Sequence, residues 1–217
     1  MPATGHMPPI NHQTLGVVIL GAGASSRMGR PKLLLPWNRT TVIGHLLEQW
    51  HELGAAQIGV VLRAQDALLT AELDRLDFPR AGRIENPQPE RGMFSSILCA
   101  AVWPGWKAEI ATWVLTLGDQ PHLHFETLRQ LLEFHSVNAD AVCQLEFGGH
   151  ARHPVLLPRQ VFEELKVSRA ETLNAFLKQT RIRNARCFAD DPGLALDLDT
   201  PEDYQLALVQ VKDSQLE

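Results

Sequence analysis

The stretch that most constrains the fold runs over residues 15–36 and reads LGVVILGAGASSRMGRPKLLLP. Its apolar part, 17–20, is short and rich in β-branched residues, which predicts a buried strand. A loop of small residues, 21–26, follows, and small residues let backbone N–H groups approach an anion closely. Arg27 then offers a planar guanidinium and Lys32 a compact positive charge, so the stretch predicts a strand that leads into a polyphosphate site.

Two better-known phosphate-binding loops do not fit this stretch. The dinucleotide fingerprint G-x-G-x-x-G requires glycine where Ser26 stands. The P-loop requires serine or threonine after its lysine, whereas Leu33 follows Lys32. On composition alone, an ordinary strand–helix turn with a basic rim is an equally good interpretation, because glycine turns and surface cations are common.

The rest of the chain alternates between strand-like apolar runs and helical periodicity. Further strands are predicted at 58–62, 81–85, 113–117, 139–146 and 151–157. Helices are predicted at 42–53, 67–76, 95–102, 125–134, 160–165 and 171–178, with a last helix that begins at Thr200. This alternation predicts an α/β fold with a doubly wound, mostly parallel, Rossmann-like sheet and a small antiparallel addition. In such a sheet the loops that follow the strands meet at one edge, where ligands bind.

Composition limits the classes of partner and the domain organisation. The formal net charge of −5 over 217 residues argues against a nucleic-acid partner. No apolar run approaches the roughly 18 residues of a membrane helix, which argues against a membrane partner. The three cysteines show no C-x-x-C spacing, and their odd number without a signal peptide predicts a cytoplasmic protein. We expect a flexible lead-in at 1–14, a single domain at 15–211 and a tail at 212–217.

The residues at 20–36 also match a longer pattern, L-x-A-G-x-S-x-R-M-G-x-x-K-L-L-L-P. This pattern resembles the signature loop of the MobA-like nucleotidyltransferases and, within that family, most resembles the molybdenum cofactor cytidylyltransferases. Gly21 stands where these proteins more often have alanine. The resemblance implies a sheet of the nucleotide-diphospho-sugar transferase type and catalytic roles for Arg27 and Lys32. It also implies nucleotide contacts from four loop residues, Leu20, Gly21, Ala22 and Gly23.

A candidate metal ligand, Asp119, lies just after the apolar run at 113–117. A carboxylate at a strand end suits Mg²⁺, which takes one or two carboxylates together with phosphate oxygens and waters. A helix cap is the alternative, since aspartate is a common N-cap residue. The segment L-x-D-Q-P at 117–121 resembles the metal-binding element of the MobA-like family, which implies that Asp119 binds the metal.

A second acidic ligand is expected from the segment D-L-D-T-P-E-D at 197–203, which resembles a family motif. Asp197 and Asp199 alternate along a segment predicted to be extended, so both carboxylates should point to the same face. Asp197 is favoured as the metal ligand, with Asp199 as the alternative. Asp199 and Thr200 could instead serve only to cap the last helix.

Two further segments resemble parts of the family site. Asn86, Gly92 and Ser96 fall in a stretch like the family's N-P-x-x-x-x-G-M-x-x-S-L, which implies contacts with the nucleobase; a helix N-terminus capped by Ser95 is the alternative. The sequence at 149–155 resembles G-x-x-x-H-P-V, which places Arg152 and His153 toward the acceptor, while a purely structural role for His153 is equally open. The family's usual G-D-x-G-x-R segment is replaced at 167–172 by VSRAET.

The resemblance implies Mg²⁺-dependent transfer of CMP from CTP to the molybdopterin form of the molybdenum cofactor, with release of pyrophosphate. The expected partners are CTP (or GTP), molybdopterin and, transiently, a molybdoenzyme or its chaperone. Alternatives within enzymes are a guanylyltransferase and a sugar-phosphate nucleotidyltransferase. An alternative of another class is a carrier that delivers the cofactor without catalysis, for which the altered segment at 167–172 is the main support.

Overall fold

The computed structural model describes residues 14–23 and 28–213, with side chains up to residue 211. Arg27, one of the two predicted phosphate-binding cations, lies outside the described residues. The strands are β1 (Leu15–Leu20), β2 (Pro36–Trp37), β3 (Thr40–Thr41), β4 (Gln57–Arg63), β5 (Arg83–Asn86), β6 (Thr112–Leu117), β7 (Val142–Phe147), β8 (His150–Pro158) and β9 (Asn184–Phe188).

The α-helices occupy both faces of the sheet. They are α1 (Val42–Glu52), α2 (Ala67–Arg75), α3 (Met93–Val102), α4 (Phe125–Ser136), α5 (Arg159–Leu165), α6 (Leu173–Gln179) and α7 (Pro201–Asp213). Short 3₁₀ turns connect several elements, among them Lys32–Leu34 and Pro192–Ala195. Within the described part of the chain, no helix combines the length and the apolar character needed to cross a membrane.

The main sheet has the strand order β5-β4-β1-β6-β8-β7-β9. All of its neighbouring pairs are parallel except those of β8, which runs antiparallel to both β6 and β7. The antiparallel direction of β8 follows from its hairpin with β7 through Gly148 and Gly149. A separate antiparallel pair joins β2 to β3. The predicted fold class, a doubly wound, mostly parallel α/β sheet with a small antiparallel addition, is therefore confirmed.

The centre of the sheet is apolar on both faces, which explains the continuous hydrophobic run of β1. Val17 and Ile19 are fully buried against the layer that contains α1, α2, α4 and α7. Val18 is fully buried against the opposite layer of α3, α5 and α6. The next strand of the main sheet, β4, pairs with one edge of β1, whereas β6 pairs with the other edge. This change of direction opens a crevice at the carboxyl ends of β1 and β6, the usual ligand position in such sheets.

The structure adds elements that the sequence patterns do not predict. The edge strand β9 buries Ala185 and Cys187 in alternation with three exposed residues, but two small apolar residues give only a short sequence signal. The strands β2 and β3 have two residues each, too few for a periodic signal. The strand predicted at 139–146 begins only at Val142, because 139–141 form a turn.

Candidate active site

Lys32 is placed inside the crevice by the apolar residues that follow it. The 3₁₀ turn that begins at Lys32 buries Leu33, and Leu35 is buried directly after it. These anchors leave only 13% of the Lys32 side chain exposed, with Nζ 3.2 Å from Asp119 Oδ2 and 2.5 Å from Asp199 Oδ1. The lysine is therefore not part of a solvated basic rim, which was the alternative interpretation of the loop.

The position of Asp119 is fixed by the close approach of two strand ends. The N–H of Gly118 donates to the carbonyl of Leu20 at 3.1 Å, so the chain leaves β6 against the end of β1. A Cβ on Gly118 would lie 2.9 Å from the Leu20 oxygen and 2.8 Å from a methyl group of Leu33. Only glycine fits there without a shift, and Asp119 follows immediately.

Asp119 does not cap the next helix, since α4 begins at Phe125 with His124 as its N-cap residue. Instead its backbone carbonyl accepts a hydrogen bond from the N–H of Leu198 at 3.1 Å. This bond holds the segment that contains Asp197 and Asp199 beside the end of β6. The two acidic motifs, almost 80 residues apart in sequence, thus meet in the crevice.

The two carboxylates of that segment have different partners. Asp197 accepts a hydrogen bond from Gln120 Nε2 at 2.9 Å, whereas Asp199 binds Lys32. The segment is not a regular strand: the N–H of Asp199 bonds to the carbonyl of Asp197 at 2.8 Å, which is a tight turn about Leu198. The carboxylates reach the crevice through this turn and not through the predicted alternation of an extended segment.

Helix capping, the alternative role for this segment, is carried out by its neighbours. Thr200 Oγ1 accepts from the N–H of Asp203 at 3.2 Å, and Asp203 Oδ2 accepts from the N–H of Thr200 at 2.8 Å. This reciprocal pair is a capping box at the start of α7. Asp199 has no part in the box, because its Oδ1 binds Lys32.

Negative charge accumulates in the crevice. Burial is the main cause that raises the pKa of Asp197 above its ordinary value, and the neighbouring charges of Asp119 and Asp199 raise it further. The hydrogen bond from Gln120 and the charge of Lys32 oppose this rise. Lys32 and three carboxylates, those of Asp119, Asp197 and Asp199, therefore lie together in the crevice.

The crevice fits a hard divalent cation through oxygen donors. No group of three or more His, Cys, Asp and Glu side chains forms a ready metal cluster within 14–23 and 28–213. Mg²⁺ does not require one, since it is commonly bound by one or two carboxylates and completed by phosphate oxygens and waters. Asp119 and Asp197 can supply those two carboxylates, while Lys32 lies between Asp119 and Asp199.

The residues 20–23 connect the buried end of β1 to an exposed loop at the crevice. Leu20 and Ala22 are buried, and the N–H of Gly21 donates a hydrogen bond to the carbonyl of Val61 at 2.8 Å. Gly23 is exposed, and a Cβ there would meet no atom of the described residues within 4 Å. Backbone contact with a nucleotide is therefore open at Gly23, and nucleotide contacts by the other three stay a prediction.

The loop expected to contact the nucleobase is stabilised by hydrogen bonds between its own residues. Asn86 is buried, and its Nδ2 donates to Ser95 Oγ at 2.8 Å and to Ser96 Oγ at 3.0 Å. Its Oδ1 accepts from the N–H of Gln88 at 2.8 Å. Gly92, with φ of 87°, is the N-cap residue of α3, so Ser95 lies inside the helix and does not cap it. Asn86 and Ser96 thus stabilise the conformation of the loop through buried hydrogen bonds, and their contact with a base stays a prediction.

Arg152 and His153 line a cavity of about 600 Å³ between β7, β8, β9 and α6. His153 lies at an irregularity of the β7–β8 pairing, where the register shifts between Gln144 and Leu145. Its Nδ1–H donates to the carbonyl of Leu115 at 3.2 Å, and burial lowers its pKa, so the ring is neutral at pH 7. The hydrogen bond to Leu115 and the charge of Asp119 oppose this lowering of the pKa of His153.

One residue that supports the site was not identified from the sequence. Asp191 is 1% exposed, and its carboxylate accepts from the N–H of His124 at 3.2 Å, Thr127 Oγ1 at 2.8 Å and the N–H of Gly193 at 2.9 Å. It therefore joins the loop after Asp119 to the segment before Asp197. In sequence it stands in D-D-P-G, which signals only a turn.

We expect Asp191→Asn to lower the free energy of unfolding by about 2–4 kcal/mol, because an amide NH₂ would face donors that now share one carboxylate. Urea denaturation of the variant and of Asp190→Asn, its exposed neighbour, measures the effect. A loss of stability equal in the two variants would contradict the bridging role of Asp191.

The chain is similar in sequence to several known proteins. Residues 17–185 match the family model described as "MobA-like NTP transferase domain". The chain is 26% identical over 189 residues to the molybdenum cofactor cytidylyltransferase of Escherichia coli, covering 86% of this chain and 92% of that protein. It is also 32% identical over 132 residues to the bifunctional protein GlmU of Leifsonia xyli. That alignment covers 59% of this chain but only 26% of GlmU.

Solved structures show the same fold over nearly the whole chain. The crystal structure of Rv0371c from Mycobacterium tuberculosis has a TM-score of 0.67 and 28% identity, covering 90% of this chain and 97% of that one. A complex of Rv0371c with manganese has a TM-score of 0.63 and 25% identity, covering 90% and 98% of the two chains. Because the family model matches residues 17–185, which is more than half of the chain, the chain belongs to the MobA-like NTP transferase family.

Proposed function

We propose that the protein transfers CMP from CTP to the phosphate of molybdopterin, with release of pyrophosphate, in a reaction that depends on Mg²⁺. The observation that supports nucleotidyl transfer most directly is the placement of Lys32 between Asp119 and Asp199 at the carboxyl ends of β1 and β6. The choice of CTP and molybdopterin rests on the signature loop and on the relative from Escherichia coli.

In this proposal the acceptor phosphate attacks the α-phosphorus of CTP in line, and the bond from that phosphorus to the β-phosphate bridging oxygen breaks. A phosphate nucleophile is already ionised near pH 7, so no general base is needed. Asp119 and Asp197 would hold Mg²⁺, which supplies neutralising charge to the triphosphate. Lys32 would leave its carboxylate partners for the phosphates and stabilise the departing pyrophosphate, with Arg27 in the same predicted role.

A guanylyltransferase and a sugar-phosphate nucleotidyltransferase would use the same crevice. The GlmU relatives support the second of these only in part, since this chain spans about a quarter of their length. A carrier without catalysis is less well supported, because carriage alone does not require a buried lysine between two carboxylates.

We expect CTP to be preferred over GTP by at least about tenfold, because a site that pairs one base leaves buried polar groups unpaired with another. The test is a panel of the four nucleoside triphosphates at equal concentration, with purified protein, Mg²⁺ and molybdenum-loaded molybdopterin. Pyrophosphate and the dinucleotide product are both measured. Guanine product formed at an equal rate would overturn the choice of CTP, and no product with any nucleotide would overturn the proposed transfer.

Ser96→Ala tests the role of the loop beneath the base. Ser96 is buried, and its hydroxyl accepts a hydrogen bond from Asn86 in the loop expected to contact the base. Because the change would alter this loop and not the phosphate site, we expect the variant to reduce the preference for CTP more than the rate of transfer. Ser136→Ala is a matched control, because its hydroxyl donates to the carbonyl of Glu133 at the end of α4 and takes no part in this loop. An unchanged CTP to GTP ratio in Ser96→Ala would show that this loop does not select the base.

A further inference from the structure

We propose that the cavity between the sheet and α6 holds the acceptor through an oxyanion bound by Arg152, Lys178 and Arg186. This inference rests on the proposed function, and it adds the chemistry by which the second substrate is recognised. Lys178 and Arg186 have no counterpart among the residues expected from the family motifs.

The three cations converge from three separate elements. Arg152 lies in β8, Arg186 in β9 and Lys178 in α6, and all three line the cavity of about 600 Å³. On neighbouring strands Arg186 is in register with Gln144, a buried amide that lines the same cavity. Three charges from distant parts of the sequence therefore face one space.

No carboxylate balances these charges within the cavity. Among the described residues that line it there is neither aspartate nor glutamate, and the polar groups present are amides, a threonine and histidines. Arg152 Nε is buried and has no hydrogen-bond partner in the part of the chain that the structure describes. A buried guanidinium N–H without an acceptor is costly, and a ligand oxyanion would supply the missing acceptor.

The cavity adjoins the crevice where transfer is proposed. His153 lines the cavity, and its Nδ1–H donates to the carbonyl of Leu115 in β6, the strand that leads to Asp119. Met93, which follows Gly92 at the start of α3, lines it on the other side. An acceptor held here can present its phosphate to a nucleotide bound over Asp119.

Molybdopterin offers two sources of oxyanion, its phosphate monoester and its molybdenum–oxo group. The test is equilibrium binding, without CTP or Mg²⁺, of metal-free and molybdenum-loaded molybdopterin, followed by pterin fluorescence. We compare the wild type, the Lys178→Gln/Arg186→Gln double variant and Arg183→Gln. Arg183 is the matched control, because it lies just before β9 but pairs with Asn138 and Asp140 outside the cavity.

We expect the double variant to bind molybdopterin at least about tenfold more weakly, with CTP affinity and the Arg183→Gln control unchanged. An equal loss for both ligand forms assigns the phosphate, and a loss confined to the molybdenum-loaded form assigns the molybdenum–oxo group. Wild-type affinity of the double variant for both forms would overturn the inference.

The proposed function and this inference fail in different ways. If the protein binds molybdopterin through these cations but transfers no nucleotide, the cavity assignment stands and the transfer does not. If CMP transfer is efficient and the double variant keeps the wild-type KM for the acceptor, the transfer stands and the cavity assignment is wrong.

Discussion

Replacement of Asp119 by alanine is expected to remove nearly all nucleotidyl transfer while the protein stays folded. Asp119 lies at the end of β6, directly after a glycine that only a close strand contact explains. Loss of a metal ligand removes several kcal/mol of transition-state stabilisation, which corresponds to a rate lower by at least about a thousandfold. Asp119→Asn, which keeps the shape but not the charge, should show a loss of the same order.

The fold should survive because the carboxylate is not needed for packing. Asp119 shares Lys32 with Asp199, so the lysine keeps a partner, and removal of one negative charge relieves Asp197. Asp140→Asn, an exposed change beside Arg183, is the matched control and should keep wild-type turnover. Binding of Mn²⁺ in the presence of CTP gives a second readout, which should weaken in Asp119→Ala alone. Normal turnover in a folded Asp119→Ala variant would refute the assignment.

The sequence predicts the centre of the fold better than its edge. In β1 and β6 both faces are buried, so the strands read as continuous apolar runs, and both were predicted within two residues. In contrast, β9 buries only Ala185 and Cys187, because it lies at the edge and faces the cavity on one side. The five residues of β9 do alternate between exposed and buried, but the two buried residues are small and the exposed Phe188 interrupts the apolar–polar pattern, so the sequence signal is short.

In the candidate site, too, some residues are predictable from local sequence motifs and others are not. Asp119 and Lys32 stand in local motifs, so their residue types and spacing are sufficient to propose them. Asp191 accepts hydrogen bonds from His124 and Thr127, which are 67 and 64 residues away in sequence, and Arg186 lines a cavity between β7, β8, β9 and α6. Neither arrangement leaves a local pattern, since each depends on contacts that exist only after the chain has folded.

Lys32→Met is expected to lower kcat by about a hundredfold to a thousandfold, the usual cost of removing one donor to a developing negative charge. Methionine keeps most of the apolar stem, so Leu33 and Leu35 should still anchor the turn. Arg30→Ala is the matched control, because Arg30 is exposed in the same loop. Equal losses in the two variants would indicate a general basic patch and not a specific phosphate contact.

The same variant should bind a divalent cation more tightly when no nucleotide is present. Lys32 Nζ lies 3.2 Å from Asp119 and 2.5 Å from Asp199, so the ammonium competes with a metal for the same carboxylates. Its removal takes one positive charge away from those carboxylates, which favours the binding of Mn²⁺. Electron paramagnetic resonance of Mn²⁺ with each apo variant measures this affinity. Slower turnover together with tighter metal binding would fit a lysine that moves from carboxylates to phosphates, whereas weaker metal binding would show that Lys32 organises the metal site directly.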